Sequence, residues 1–153
     1  MGAPSIQTCL WYEDQAEQAA TLYCNLFPDA AISNVFRQQG GNDAKAFMVE
    51  FTLMGQSYAA MNGGPHYTLT PAASIVAHVD DQAEVDRLWA ALLANGGVES
   101  RCGWLTDRYG LSWQIIPRAL PRLLQADTSG RVMRAMMGMV KIDVAVLEAA
   151  AKG

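Results

Sequence analysis

An internal repeat constrains this chain more than any other feature. Glu13-Asp14-Gln15-Ala16-Glu17 recurs 67 residues later as Asp80-Asp81-Gln82-Ala83-Glu84. Each copy stands where an apolar, β-prone run gives way to a helical pattern. Five residues alone would mean only that both are good helix starts. The order of predicted elements on either side matches too, and that makes duplication the better reading.

In the first copy, residues 6–12 predict a strand. Asp14 caps a helix, with Glu17 in the capping-box position, and Ala16, Ala19, Ala20, Tyr23, Leu26 and Phe27 recur at helical spacing. Pro28-Asp29 ends it. Strands follow over 31–37, 46–53 and 57–61. The turn-rich segment 38–43 separates the first two, and Gly55-Gln56 the last two. In the second copy, residues 73–79 predict a strand. Asp80 or Asp81 caps a helix carrying Val85, Leu88, Trp89, Leu92 and Leu93, which Asn95-Gly96-Gly97 stops. Strands over 98–105 and 111–116 flank the turn Asp107-Arg108-Tyr109-Gly110.

After Pro117 the pattern changes to helices alone. Residues 119–125 form a short one. Thr128 caps a second that runs to Met139, with Val132, Met133, Met136, Met137 and Val140 on its apolar side. Asp143 caps a third over 144–151. Methionines at this spacing are gap-filling core or a subunit contact. The expected organisation is one domain over 1–153: module one over 5–64, module two over 71–117 and a helical extension over 118–153.

Composition narrows the function classes. Apolar residues make up 51% and charged ones 17%, which excludes a disordered chain. Eleven basic against fifteen acidic side chains leave a charge of −4, which argues against nucleic-acid binding by bulk charge. No apolar run approaches the about 20 residues a membrane span needs. Residues 1–5 do not form a secretory leader, and Gly2 is not followed by a lipidation motif. Cys9, Cys24 and Cys102 are too few, and too odd in number, for a disulfide framework. The expected setting is soluble, reducing and cytoplasmic, with no membrane partner.

Particular segments carry a resemblance. They are Cys9-Leu10-Trp11-Tyr12, Tyr23-Cys24-Asn25-Leu26-Phe27-Pro28, Asn62-Gly63-Gly64-Pro65-His66, the stretch from Trp104 through Asp107-Arg108-Tyr109-Gly110 to Gln114, and the Met-rich tail. With two successive strand-helix-strand-strand-strand units, they resemble the vicinal oxygen chelate superfamily of glyoxalases, bleomycin- and fosfomycin-resistance proteins and extradiol dioxygenases. Within it they resemble the PhnB-like branch, often labelled 3-demethylubiquinone 3-methyltransferase-like. The resemblance implies an α+β fold: two tandem βαβββ modules forming a curved mixed sheet around a cavity, plus C-terminal helices. It also implies a homodimer and a small-molecule ligand.

Metal-using members of that superfamily hold ligands on the inward faces of equivalent strands. Spacing places those positions at Thr8, at Ser74 or Ile75, near Tyr58 or Ala60, and at Gln114. None is His, Asp, Glu or Cys, the donors a divalent ion wants in a matched set. No metal and no cofactor is therefore expected. The remaining cavity candidates are Asn62, His66, His78, Trp104 and Arg108. Asn62 offers both an amide donor and an acceptor. His66 is a ligand contact in a cavity-mouth loop or a turn-stabilising side chain. His78 is a half-buried histidine at a cavity edge, or a general base. Trp104 lines the cavity or the core. Arg108 pairs with Asp107 in the turn or holds an anionic ligand. Trp113 and Trp11 alternate away from the cavity and read as core. Glu50 is solvent-facing or a cavity carboxylate.

The function this favours is metal-free small-molecule binding in an apolar cavity with a few polar groups. The alternatives are an enzyme of lyase, isomerase or transferase type with a non-standard site, and a dimeric protein working through its Met-rich tail. Literal methyl transfer from S-adenosylmethionine is disfavoured. Its nucleotide pocket wants a glycine-rich strand-to-helix turn, whereas Tyr12-Glu13-Asp14 and Val79-Asp80-Asp81 are acidic and lack glycine.

Overall fold

Two four-stranded mixed sheets, one in each repeat, organise the chain. The computed structural model describes residues 2–39 and 44–153. Contacts divide the chain into two units, 1–69 and 70–153. Among the described residues no helix is long and apolar enough to cross a membrane.

Unit one holds β1 (Thr8–Tyr12), α1 (Ala16–Leu26), β2 (Ala30–Arg37), β3 (Ala46–Leu53) and β4 (Gln56–Asn62). The strand order is β1-β4-β3-β2, with β1 parallel to β4 and the other pairs antiparallel. Period-two alternation sorts the side chains. Leu10, Tyr12, Val49, Phe51, Leu53 and Tyr58 are buried on one face, and Ala16, Ala19, Ala20 and Tyr23 of α1 are buried with them. The Tyr12 and Tyr23 hydroxyls meet at 3.0 Å, which satisfies two phenols inside an apolar layer. Met54 and Gly55 both have positive φ, at 49° and 85°, as a two-residue hairpin turn demands. The turn expected over 38–43 falls mostly outside the described residues.

The start of α1 differs from expectation. Asp14 is not the cap. Gln15 occupies that position and makes no side-chain capping bond. Instead the Ala16 N–H donates to Asn62 Oδ1 at 2.8 Å, and Asn62 Nδ2 donates to the Ala46 carbonyl at 2.9 Å. One amide at the end of β4 thus caps a helix 46 residues earlier.

Unit two holds β5 (Ser74–Val79), α2 (Gln82–Leu93), β6 (Val98–Glu99), β7 (Trp104–Thr106) and β8 (Ser112–Pro117). The order β5-β8-β7-β6 repeats that of unit one, with β5 parallel to β8. Ala77, Val79, Leu105, Trp113 and Ile115 are buried, as are Val85, Leu88, Trp89 and Leu92 of α2. Asp81 caps α2, accepting from Glu84 N at 3.0 Å. The single strand expected over 98–105 is broken. Cys102 and Gly103 are left-handed, at φ 57° and 85°, and their N–H groups donate to the Met139 and Val140 carbonyls.

Three helices complete unit two: α3 (Ala119–Ala126), α4 (Arg131–Met137) and α5 (Val144–Lys152). Ile116, Leu120, Val132, Ile142 and Leu147 form their core, with Met136 and Met139 packed against it. Asp143 caps α5 as expected, accepting from Val146 N at 3.2 Å. For α4 the cap position falls on Gly130 rather than Thr128, and Asp127 ties the helix start down by accepting from Val132 N at 3.0 Å and from the Ser129 hydroxyl at 2.7 Å. Gln82 clasps this tail to α2, donating to the Ile142 carbonyl at 3.0 Å and accepting from Val144 N at 2.8 Å.

Candidate functional site

Each sheet has one face under its helix and one face away from it. Side chains on the face away from the helix are the candidates to meet a ligand, except where they are buried, as Ile116 is against the C-terminal helices. In unit two, Ser74, Val76 and His78 of β5 alternate against buried Ala77 and Val79. Their register partners are Ser112, Gln114 and Ile116 of β8. Trp104 and Thr106 pair with Gln114 and Ser112 from the other side. Ser74, Trp104, Gln114 and His78 therefore share one face. Gln114 Nε2 donates to Ser74 Oγ at 3.0 Å. Ile75, the alternative to Ser74, pairs with buried Trp113 and faces α2. His78 is exposed; Ser74, Trp104 and Gln114 are half-buried.

The hairpin between β7 and β8 is built around Asp107, which is only 3% exposed. Its Oδ1 accepts from the Tyr109 and Leu111 N–H groups at 2.8 and 3.1 Å, and its Oδ2 accepts from Trp113 Nε1 at 2.9 Å. Asp107 is thus an internal anchor that also satisfies a buried indole. Arg108 follows, half-buried, with its guanidinium 5.7 Å from the Tyr109 ring centre. Among the described residues, only Arg108 Nε and Ser112 Oγ are buried side-chain polar atoms without a hydrogen-bond partner. Such atoms are rare in folded proteins. Ser112 was missed by the sequence reading, although its place two residues before Gln114 puts it on the same face.

Unit one corrects the register by one residue. Thr8 pairs with Tyr58, on the face of Leu10 and Tyr12. Tyr58 and Ala60 are buried on that face too, so Thr8, Tyr58 and Ala60 do not point away from α1. Asn62 shares their parity and is used at both amide atoms as the cap described above. The residues on the away face are Gln7, Cys9 and Trp11. Gln7 Nε2 lies within bonding distance of Glu50 Oε2 (3.0 Å), the Tyr58 carbonyl (3.2 Å) and Ser57 Oγ (3.3 Å). Asn34 Nδ2 donates to the other Glu50 oxygen at 3.2 Å. Gln7, Asn34 and Ser57 were not singled out from sequence.

Trp11 is half-buried and is not core. Its Nε1 donates to the Gly64 carbonyl at 2.9 Å, and a side chain at Gly63 would run into its indole. Tyr67 meets Trp11 edge-on at 4.9 Å, and His66 meets Tyr67 at 4.4 Å. His66 therefore sits in an exposed aromatic cluster pinned to the sheet by Trp11. Burial raises the Cys9 and Cys24 thiols and the Tyr58 phenol above their ordinary ranges, which keeps all three protonated near neutrality.

These donors do not fit a divalent metal. Ser74, Gln114, Gln7 and Ser57 offer neutral hydroxyls and amides, and the one carboxylate beside them, Glu50, is bonded to Gln7 and Asn34, short of the matched set of imidazole, carboxylate or thiolate donors a divalent ion wants. Among the described residues no three His, Cys, Asp or Glu side chains come together to hold an ion.

Comparison with known proteins places this geometry. A PhnB protein of Bacillus cereus, labelled 3-demethylubiquinone-9 3-methyltransferase, is 27% identical, with 74% of this chain and 99% of that one covered at a TM-score of 0.68. A glyoxalase/bleomycin resistance protein from Albidiferax ferrireducens is 16% identical over 73% of this chain and 96% of that one, at 0.50. The fosfomycin resistance protein FosX of Listeria monocytogenes, solved with manganese and sulfate, is 17% identical over 75% and 92%, at 0.52. The last two relate by fold alone. No curated protein matches the chain. The family pattern described as 3-demethylubiquinone-9 3-methyltransferase matches residues 4–116, which covers both repeats. The chain belongs to that PhnB-like family and has its glyoxalase-like α+β fold.

Proposed function

We propose that this chain binds a small organic molecule without a metal ion, through the sheet faces turned away from α1 and α2. The methyltransferase in the family's name is not its activity. The observation that carries the reading is the Gln114–Ser74 hydrogen bond beside Trp104. Two weak donors, an amide and a hydroxyl, are paired with each other where a metalloenzyme of this fold would hold imidazole or carboxylate ligands, and Trp104 stands next to them. Neutral polar groups on an apolar surface orient an organic ligand by hydrogen bonding. Strand-to-helix turns that are acidic and free of glycine support the rejection of methyl transfer. The whole chain works as one glyoxalase-like domain, as a homodimer in the cytoplasm.

A thermal-shift screen of metabolite-sized aromatic and polar compounds, followed by calorimetry, tests the reading. Binding is expected to survive excess chelator. Gln114→Leu is expected to weaken it about tenfold, the worth of one hydrogen bond at its upper range, and Trp104→Ala at least as much. Binding that vanishes with chelator, or that both variants leave unchanged, would contradict the proposal.

A further inference from the structure

Arg108 Nε and Ser112 Oγ, the buried side-chain polar atoms without a hydrogen-bond partner among the described residues, stand in one hairpin. Arg108 is in the turn between β7 and β8, and Ser112 is the first residue of β8. Leaving a buried polar atom unpaired is costly, and two so close together call for a common reason. Their chemistry narrows it. An arginine Nε–H only donates, and a hydroxyl can donate. One partner that serves both is therefore an acceptor, and a charged donor bonds most strongly to an anionic one.

The hairpin does not supply that acceptor itself. Asp107 adjoins Arg108 in the chain, but its oxygens accept from Tyr109 N, Leu111 N and Trp113 Nε1. Trp113 is fully buried on the α2 face, so the Asp107 carboxylate is engaged on the side of the sheet opposite Ser112. None of the ion pairs among the described residues includes Arg108.

The surroundings of Ser112 are rich in donors. Strand register sets Ser74 on one side of it and Thr106 on the other, each about 4.8 Å away across the sheet. All three are hydroxyls, and no carboxylate shares their row. Ser74 accepts from Gln114 Nε2 and keeps its own proton to give. Arg108 follows Thr106 by two residues, which holds their Cα atoms within about 7 Å. Asp107 pins the hairpin backbone, so the half-buried Arg108 side chain springs from a fixed point.

We propose that this end of the unit-two sheet takes the acidic group of an organic anion, a carboxylate or a phosphate. Ser112 is only 1% exposed, and the Arg108 side chain, held in no ion pair, swings aside to admit the group. Arg108 then donates to it through Nε, and Ser112 through its hydroxyl. The body of the ligand lies along the same face toward Trp104, one row on at about 7 Å. The assignment rests on the small-molecule reading above and names the ligand class.

The probe is benzoate, titrated by NMR beside benzamide, its neutral isostere, and phenyl phosphate, the other oxyanion. At least one anion is expected to bind about tenfold more tightly than benzamide, the worth of a hydrogen bond to a charged group. The tighter of the two tells carboxylate from phosphate. The chain's charge of −4 opposes anions, so this preference would be local to the site. Arg108→Gln is expected to bring anion and amide to parity. Arg108→Lys keeps the charge without the Nε donor and is expected to recover only part of the preference. Ser112→Ala is expected to weaken the anion severalfold without lowering the melting temperature, because its hydroxyl has no bond to lose. A lowered melting temperature with unchanged anion binding would make Ser112 structural and overturn the inference. Equal binding of all three probes by the parent would overturn it and leave small-molecule binding standing. A preference that survives Arg108→Gln would overturn it as well. Binding of no probe overturns the anion site, while the Gln114 and Trp104 variants judge the wider reading separately.

Discussion

Asp107 shows how a residue can be legible in position and not in purpose. Asp-Arg-Tyr-Gly marks a turn in any sequence, and Gly110 at φ 91° fulfils it. The spacing left open an ion pair with Arg108 or an anion clamp. What the carboxylate does is accept three hydrogen bonds inside the hairpin, one of them from an indole six residues on. Asp107→Ala would remove the acceptor of two backbone N–H groups and of the Trp113 indole N–H. The expected cost is about 4 kcal/mol, among the larger single-residue losses. Urea denaturation checks it, and a loss within about 1 kcal/mol would contradict the role given to Asp107. The candidate site was readable to the same partial degree. Ser74 and Gln114 could be placed because their strands carry strong patterns around Trp113. Thr8 was off by one, and in a strand one residue exchanges the faces. Gln7 lies just ahead of β1, where alternation has too few residues to fix its phase.

At the scale of elements, what is local could be read and what is distant could not. Asp81 and Asp143 cap the helices that follow them, as their sequences announce. The cap of α1 comes from Asn62, which no local pattern reveals. The break between β6 and β7 has the same origin, since the N–H groups of Cys102 and Gly103 bond to carbonyls of the tail. One tie between elements makes a pH prediction. Arg37 grips Glu17 with two hydrogen bonds, at 2.7 and 3.0 Å, fastening β2 to α1. The bonds from Arg37 hold the Glu17 carboxyl below its ordinary range. The folded state thus favours the ionised form, so the pair's stabilisation is complete above the unfolded value of about 4.3. It is lost as pH falls through the lower folded value. The effect is modest, because both side chains are partly exposed and screened. The melting temperature is expected to drop on acidification below about pH 4, and Glu17→Gln to flatten part of that drop. An identical pH profile for parent and variant would contradict the link.

For the whole molecule, the duplication was the most legible feature, since two sheets of the same strand order follow from two copies of one element string. Periodicity and the turn residues carried it, with no help from side-chain detail. Ligand identity is the least legible, because a fold does not determine the chemistry of what it binds. The central claim is that this glyoxalase-like chain binds a small molecule through neutral polar groups and an aromatic wall, without a metal. Native mass spectrometry of the purified protein, titrated with manganese, zinc and nickel, tests it most directly. The account predicts no stoichiometric metal at any step and a co-purifying organic molecule released on denaturation. One metal ion bound per chain, lost on mutation of Gln114 or Ser74, would contradict it.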